Sequence, residues 1–333
     1  MLAAWYEKTG PAREVLRHGE LPQPEPGRGE VRVRVHASGV NPTDTKQRAG
    51  RPRPSGPPIA HVRVIPHQDG AGVIDAVGAG VSPKRIGERV WIYEAQWQRP
   101  WGTAAQYTTV PEERAVALPR DVDFAVGACL GIPAITAHSC LFADGPIAGK
   151  TVLVQGAAGA VGYYAAQLAR LAGAHVIATV GSPEQERLVH EAGIAQIIDR
   201  KREDVKERVL RLTEGRGVDR VVEVAFAANL ETSAEVLALN GVVATYASDS
   251  EPTPPPAFPF RPLLFKNATI RFALVYLVSP EGHRAAVREI NTHLASGALK
   301  HSIARRLPLS RIVEAHEAME AGHLNGKVIV EVP

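Results

Sequence analysis

Between residues 150 and 247, short apolar runs alternate with helical ones, and this alternation restricts the fold more than anything else in the chain. "KTVLVQ" (150–155), "AHVIATV" (174–180), "AQIID" (195–199), "VDRVVEVA" (218–225) and "GVVATYA" (241–247) are predicted strands. Helices are predicted between them over 160–173, 183–192, 203–213 and 229–239. Strands separated by helices build βαβ units, and such units make a parallel sheet covered on both faces. The α/β unit is expected to span 125–265.

The flanks read differently. "GEVRVRVHASGV" (29–40) sets Val31, Val33 and Val35 on one face and Arg32, Arg34 and His36 on the other. That period of two is a half-buried strand. "GAGVIDAVGAGV" (70–81) and "GERVWIYEA" (87–95) are further short strands bounded by glycine, and Pro/Gly stretches punctuate the region at 21–29 and 51–58. The Pro-rich stretch 251–262 cannot continue a central strand. The tail holds strands, a helix around 281–297 and a last strand, "KVIVEV" (327–332). The α/β unit is therefore expected as an insertion into a β-rich domain made of 1–124 and 266–333.

The strongest local signal is "TVLVQGAAGAVGYYAAQLA", a strand running through Gly156, Ala157, Ala158, Gly159, Ala160, Val161 and Gly162 into a helix. Small residues let backbone N–H groups approach a pyrophosphate, and the helix start adds partial positive charge. The usual G-x-G-x-x-G has its first glycine replaced by Ala157. Within a run of βα units the turn is a dinucleotide site. An acid about 20 residues on would hold the ribose of NAD. Here the second strand ends Thr179, Val180, Gly181, Ser182, and no acid comes before Glu184. Arg187 follows, and "DRKR" (199–202) brings Arg200, Lys201 and Arg202. Either these are solvated surface charges, or they meet a 2′-phosphate. The missing acid favours the phosphate, hence NADPH.

In this chain of 333 residues, 38 basic against 35 acidic side chains leave a net charge of +3, which gives no argument for nucleic acid or membrane partners. Two cysteines, Cys129 and Cys140, can build neither a disulfide framework nor a four-cysteine zinc lobe. They read as buried thiols of a reducing compartment, and a cytoplasmic protein is expected. The uncharged stretch 125–143 is long enough for a membrane helix. Its Gly127, Gly131, Pro133 and His138 argue for buried helix and turn instead.

With "VHASGVNPTDTKQRAG", "IPHQDGAGVIDAVGAGV", "GERVW", "GIPAITAH", the loop above and "HEAMEAGHLNGKVIV", the whole chain resembles the medium-chain dehydrogenase/reductase superfamily. It is most similar to the zinc-free quinone oxidoreductase branch that includes zeta-crystallin. The resemblance implies a GroES-like catalytic domain split around a Rossmann NADPH-binding domain, and a homodimer joined through an edge strand. It implies pyrophosphate contacts at Ala158, Gly159, Ala160 and Val161, and 2′-phosphate contacts at Gly181, Ser182 and Arg200, with Arg187 nearby. Thr136, Tyr246, Ala247, Ser248, Phe272, Ala273 and Leu274 are placed near the nicotinamide and its ribose. Asn325 and Lys327 are implied as a closing contact.

The same resemblance sets Asn41 where zinc-dependent relatives carry a ligand cysteine, and His67 where they carry a ligand histidine. Cys129 lies near the third ligand position but reads as core. A catalytic zinc needs three protein ligands, so no metal is expected. The cofactor then supplies hydride, and the protein must orient the acceptor and stabilise oxyanion charge. Asn41 offers N–H donors and Lys46 a positive charge, although many relatives carry tyrosine at that position. "NPTDTK" also reads as a helix start, with Asn41 as N-cap, Pro42 at N1 and Asp44 at N3. Trp97 and Trp101 suit either an acceptor wall or a contact between domains or subunits. A quinone is the expected acceptor, an α,β-unsaturated carbonyl the alternative, and a non-catalytic crystallin or RNA-binding relative the third reading.

Overall fold

The computed structural model describes residues 1–50, 61–248, 257–322 and 324–333. The Pro-rich stretch 51–58 and residues 251–256 of the second one lie outside them. In chain order the elements are β1 (Leu2–Trp5), α1 (Ala12–Val15), β2 (Arg17–Glu20), β3 (Glu30–Val40), α2 (Pro42–Ala49), β4 (Asp69–Val77), β5 (Arg89–Ile92), β6 (Tyr107–Pro111), β7 (Ala115–Ala117), α3 (Phe124–Gly127) and α4 (Gly131–Phe142). There follow β8 (Thr151–Val154), α5 (Ala160–Leu171), β9 (His175–Val180), α6 (Pro183–Glu191), β10 (Gln196–Asp199), α7 (Val205–Leu212), β11 (Val218–Glu223), α8 (Phe226–Val236) and β12 (Leu237–Thr245). The chain ends with α9 (Phe260–Phe265), β13 (Thr269–Phe272), α10 (Pro280–Ala295), β14 (Ile303–Pro308), α11 (Ile312–Ala321) and β15 (Lys327–Glu331).

Two compact units result: the first is Met1–Ile132 with His301–Pro333, the second Pro133–Lys300. The first carries a seven-stranded sheet in the order β14-β15-β3-β4-β5-β7, with β6 pairing β3. Alternation along β3 does what its sequence predicts: Val31, Val33 and Val35 are fully buried, while Arg34 is exposed. Val31 and Val33 join Ile74, Val90, Ile92 and Val110 in one apolar cluster. Val35 and Val40 join a second with Tyr6, Ile65, Leu309 and Val330.

The second unit carries a six-stranded sheet, β10-β9-β8-β11-β12-β13, and every pairing in it is parallel. Three expectations shift here. β13 adds a sixth strand, and the unit continues through α10 to Lys300, beyond the expected limit at 265. The helix expected over 229–239 runs instead over Phe226–Val236. β12 begins at Leu237, four residues early, because its register against β11 slips between Val218 and Arg220, with Asn240 at φ 58° just before Gly241. Each strand is too short to be told from its flanking helix by periodicity alone.

Candidate functional site

In the second unit, the expected cofactor positions other than Thr136 and Arg187 follow the carboxyl ends of the parallel strands. Ala158–Val161 follow β8, Gly181 and Ser182 follow β9, Arg200 follows β10, Tyr246–Ser248 follow β12, and Phe272–Leu274 end β13. The strand order reverses between β8 and β11. Open parallel sheets bind ligands outside the carboxyl ends at such a reversal.

The loop after β8 is fixed by one side chain. Thr179 Oγ1 accepts from the Gly156 N–H at 3.0 Å and donates to Gln155 Oε1 at 2.8 Å, and Thr179 O accepts from the Ala157 N–H at 3.0 Å. Gly156 has φ 66°, a conformation that favours glycine. α5 starts at Ala160 after the N-cap Gly159, and its first N–H groups have no partner within the helix. That leaves donors and the positive helix end facing outward, which suits a pyrophosphate.

After β9, the Gly181 N–H donates to Gln185 Oε1 at 2.8 Å and Ser182 caps α6. Arg200 is exposed, and its Nη2 lies 3.1 Å from where a Cβ on Gly181 would stand. Arg187, inside α6, pairs with Glu184 at 3.6 Å. The guanidinium stationed at the strand ends is therefore Arg200's. Between β11 and β12, the Tyr246 N–H donates to Glu223 O and the Phe226 N–H to Ala247 O, each at 3.2 Å. Ser248 Oγ accepts from the Ala227 N–H at 3.1 Å. Glu223 is fully buried, which pushes its pKa up, and it accepts from the Ala225 N–H, Asn229 and Ser233. Phe272 is 75% exposed and meets Phe226 edge-on. Thr136 is buried on α4.

The first unit holds a buried polar cluster that sequence reading only half found. Asn41 Nδ2 donates to Asp69 Oδ2 at 2.8 Å, and Lys327 Nζ donates to Asn41 Oδ1 at 2.5 Å and to Asp69 Oδ2 at 2.6 Å. Asp69 Oδ1 accepts from the Ile132 N–H at 2.8 Å. Asn41 is 3% exposed, Lys327 2% and Asp69 0%. An ammonium has no lone pair and a carboxylate no hydrogen, so the amide orientation of Asn41 is fixed. Its N–H donors face the two carboxyls, Asp69 at 2.8 Å and Asp44. Asp44 Oδ2 accepts from the Asn41 N–H at 2.7 Å, so Asn41, Pro42 and Asp44 do start α2 as the sequence predicts. Lys327 sits in the cluster as the ion-pair partner of Asp69, while Asn325 O accepts from the Ser302 hydroxyl at 2.7 Å. Lys46 is half-buried on α2. Trp97 is half-buried, and Trp101 packs against the cluster that includes Val64 and Ile65.

A second buried chain runs from Asp69. Thr103 Oγ1 donates to Asp69 O at 2.5 Å, Ser38 Oγ lies 2.7 Å from Thr103 Oγ1 and 2.7 Å from His67 Nδ1, and His67 Nε2 lies 3.0 Å from His316 Nε2. The protons can be placed. Thr103 uses its hydrogen on the carbonyl, so Ser38 donates to Thr103 and His67 Nδ1–H donates to Ser38. His67 Nε2 then accepts from His316 Nε2–H. His67 is thus occupied as a neutral hydrogen-bond link. Cys129 is buried, and burial pushes its thiol up to about 12. Among the described residues, no group of three or more His, Cys, Asp or Glu side chains is arranged to hold a metal ion. Ser38, Asp69, Thr103 and His316 were not singled out from the sequence. The only local signal was an acid, Asp69, at the head of an apolar strand.

This burial has a pH signature. Burial first, then the neighbouring His316 and Lys327, hold His67 well below its ordinary 6.5, and burial first, then Arg48, holds His316 at about 3. The unfolded chain therefore binds more protons below pH 6.5, and the stability of the neutral pair, complete above 6.5, is lost as pH falls. Asp44 acts in the opposite sense. Burial first, and Asp69 among its neighbours, raise it from 3.8 to about 8, so its contribution is present at low pH and lost as pH rises towards 8. From pH 6.5 to 5 each histidine costs about 2 kcal/mol and Asp44 returns about 2 kcal/mol. Urea unfolding at the two pH values should show a net loss of about 2 kcal/mol in the native protein and about 4 kcal/mol in Asp44→Asn. Equal losses would contradict this assignment.

Residues 27–120 match the family described as alcohol dehydrogenase GroES-like domain, and 160–292 the family described as zinc-binding dehydrogenase. The human quinone oxidoreductase is 30% identical over 98% of this chain and 95% of its own length. The Escherichia coli quinone oxidoreductase, solved as an NADPH complex, superposes with TM-score 0.85 at 26% identity over 99% of this chain and all of that one. An NAD-dependent alcohol dehydrogenase superposes with TM-score 0.90 at 29% identity over the full length of both chains. Nucleotide-binding sheet and GroES-like unit together define a medium-chain dehydrogenase/reductase. The chain belongs to the quinone oxidoreductase branch of that superfamily.

No helix among the described residues is long and apolar enough to cross a membrane.

Proposed function

We propose that this protein is an NADPH-dependent, zinc-independent quinone reductase. The second unit binds NADPH, and hydride passes from the reduced nicotinamide to the quinone. The observation that carries the cofactor reading is Arg200, held over Gly181 at the end of β10 where β9 ends without an acid. A guanidinium there pairs by charge with a 2′-phosphate, a stronger bond than it could make to a neutral ribose hydroxyl. Asn41 is the acceptor-orienting residue, since its amide is locked in one orientation by Asp69 and Lys327. Lys327 supplies the fixed positive charge beside it, held by the chain itself. That donor set supports metal independence: the histidine is engaged by Ser38 and His316, and the cation in the cluster is an ammonium.

Arg200→Ala is expected to weaken NADPH about 10- to 100-fold, the worth of a charged hydrogen bond, and to leave NADH unchanged. Steady-state kinetics with both nucleotides and 1,4-benzoquinone read this directly. An equal effect on NADH would refute the assignment. Turnover of enones without any quinone would move the acceptor to α,β-unsaturated carbonyls, which the same hydride reduces.

A homodimer joined along β13 fits the reading. β13 is an edge strand, and Phe260, Phe265, Phe272 and Leu277 leave a large apolar surface exposed on and beside it. Two free buried thiols accord with a cytoplasmic setting.

A further inference from the structure

The nucleotide sheet of the second unit has a fully buried acid at the end of a central strand, Glu223 on β11. Among the described residues the hydrogen-bond partners of its carboxyl are neutral. Oε1 accepts from the Ala225 N–H at 2.7 Å and from Asn229 Nδ2 at 2.9 Å, Oε2 accepts from the Ser233 hydroxyl at 3.0 Å, and the Val224 N–H also bonds to the carboxyl. Two of these donors belong to the turn after β11 and two to α8. A buried carboxyl is tolerated only when it is bonded in this way, so the carboxyl and the four groups hold one another in place. The main chain extends the frame. Glu223 O accepts from the Tyr246 N–H and Ala247 O from the Phe226 N–H, each at 3.2 Å, and Ser248 Oγ accepts from the Ala227 N–H at 3.1 Å. The first two N–H groups of α8 are thus used inside the protein, whereas those of α5 face outward. Val224 Cγ1 stands 3.0 Å from where a Cβ on Gly156 would be. The turn held by Glu223 is therefore packed on the phosphate loop itself.

A dinucleotide lies across the point where the strand order reverses, one nucleotide over each half of the sheet. Arg200 and the loop after β8 give the half made of β8, β9 and β10 to the adenosine and its phosphates. The half made of β11, β12 and β13 then takes the nicotinamide nucleotide. We propose that Glu223 is the positioning residue for that nucleotide: its buried carboxyl holds Val224 against Gly156 and ties the start of α8 to the turn, so that this side of the cleft is in place before the cofactor arrives. The proposal rests on the NADPH reading above and not on the identity of the acceptor. A wall fixed in advance need not be ordered when the ligand binds, and that saving appears as affinity. Removing the carboxyl leaves the Ala225 N–H, Asn229 and Ser233 without their acceptor, and the turn is free to leave Gly156.

Two ligands separate this role from a general loss of structure. NADPH carries the nicotinamide nucleotide, and adenosine 2′,5′-bisphosphate lacks it. By titration calorimetry, Glu223→Ala should raise the Kd for NADPH about 10- to 100-fold, the worth of one or two lost hydrogen bonds, and change that for adenosine 2′,5′-bisphosphate less than about twofold. Glu223→Gln keeps an oxygen for the Ala225 N–H and Asn229 and turns N–H donors towards the Ser233 oxygen, so it should recover most of the loss. Asn229→Ala removes one donor at a half-buried position and should weaken NADPH alone by about 2- to 10-fold. It keeps the proposal testable should Glu223→Ala fail to fold. Equal weakening of both ligands in Asn229→Ala or in folded Glu223→Ala overturns the proposal, as does NADPH affinity unchanged by either. A native protein that binds neither ligand would instead remove the NADPH reading, and this proposal with it.

Discussion

Lys327→Met is expected to destabilise the first unit by about 3–5 kcal/mol, a large share of an ordinary domain's stability. The substitution keeps the side-chain length and removes only the ammonium. Asp69 is then left fully buried with Asn41 and one N–H as its donors, and Asn41 Oδ1 loses its partner. The cost is that of an uncompensated buried charge, not the net worth of the ion pair. Removing both charges separates the two. In Asp69→Asn with Lys327→Met, the new amide still accepts from the Ile132 N–H and can donate to Asn41 Oδ1. At least half of the lost stability should return. Because the chain has two units, the loss belongs to the transition of the first, followed by its own probe in urea unfolding at pH 7. A loss under 1 kcal/mol in the single variant would show that water reaches the cluster and that Lys327 is not its structural cation.

The same cluster shows where the sequence could be read and where it could not. The helix start at "NPTD" is local: an N-cap, a proline that needs no N–H, and an acid one turn in. All three residues stand where they were expected. The partner of Asn41 is not local. Lys327 lies 286 positions away, and the antiparallel pairing of β15 with β3 is what brings it alongside. Nothing in "GKVIV" distinguishes a buried lysine from one on a strand's wet face. His316 was hidden for the same reason, sitting on a helix whose neighbours in sequence say nothing of His67. In the second unit the phosphate loop was legible because strand, turn and helix are consecutive. β13 was not: four residues after a Pro-rich stretch carry too little pattern, and only parallel pairing with β12 makes them a sixth strand. Arg200 lies between these cases. The run "DRKR" marked a basic turn, and packing against Gly181 picks out one of its three cations.

That loop carries the other large expected effect. A Cβ on Gly162 would stand 2.4 Å from Gly156 O and 2.9 Å from the Ala157 Cα. Both are backbone atoms, so no side chain can turn aside, and α5 has to move away from the turn. Overpacking of this kind costs about 1–3 kcal/mol or more. The displaced helix start also carries its N–H groups away from the pyrophosphate, and a shift near 1 Å in such a site is worth about a hundredfold. Gly162→Ala should therefore lose both thermal stability and NADPH affinity. Gly159→Ala separates the two effects. Its Cβ would lie 3.4 Å from Gly156 O, an ordinary contact, and its φ of −72° suits alanine. It should fold like the native protein and lose affinity only, because the added methyl stands at the N-cap where the phosphate must approach. Thermal unfolding with and without NADPH, alongside a fluorescence titration of the nucleotide, reads both quantities. If Gly162→Ala melts within about 0.5 kcal/mol of the native protein, an ordinary surface change, the close helix–strand packing does not control this turn. If Gly159→Ala binds NADPH normally, the pyrophosphate does not pass over the start of α5.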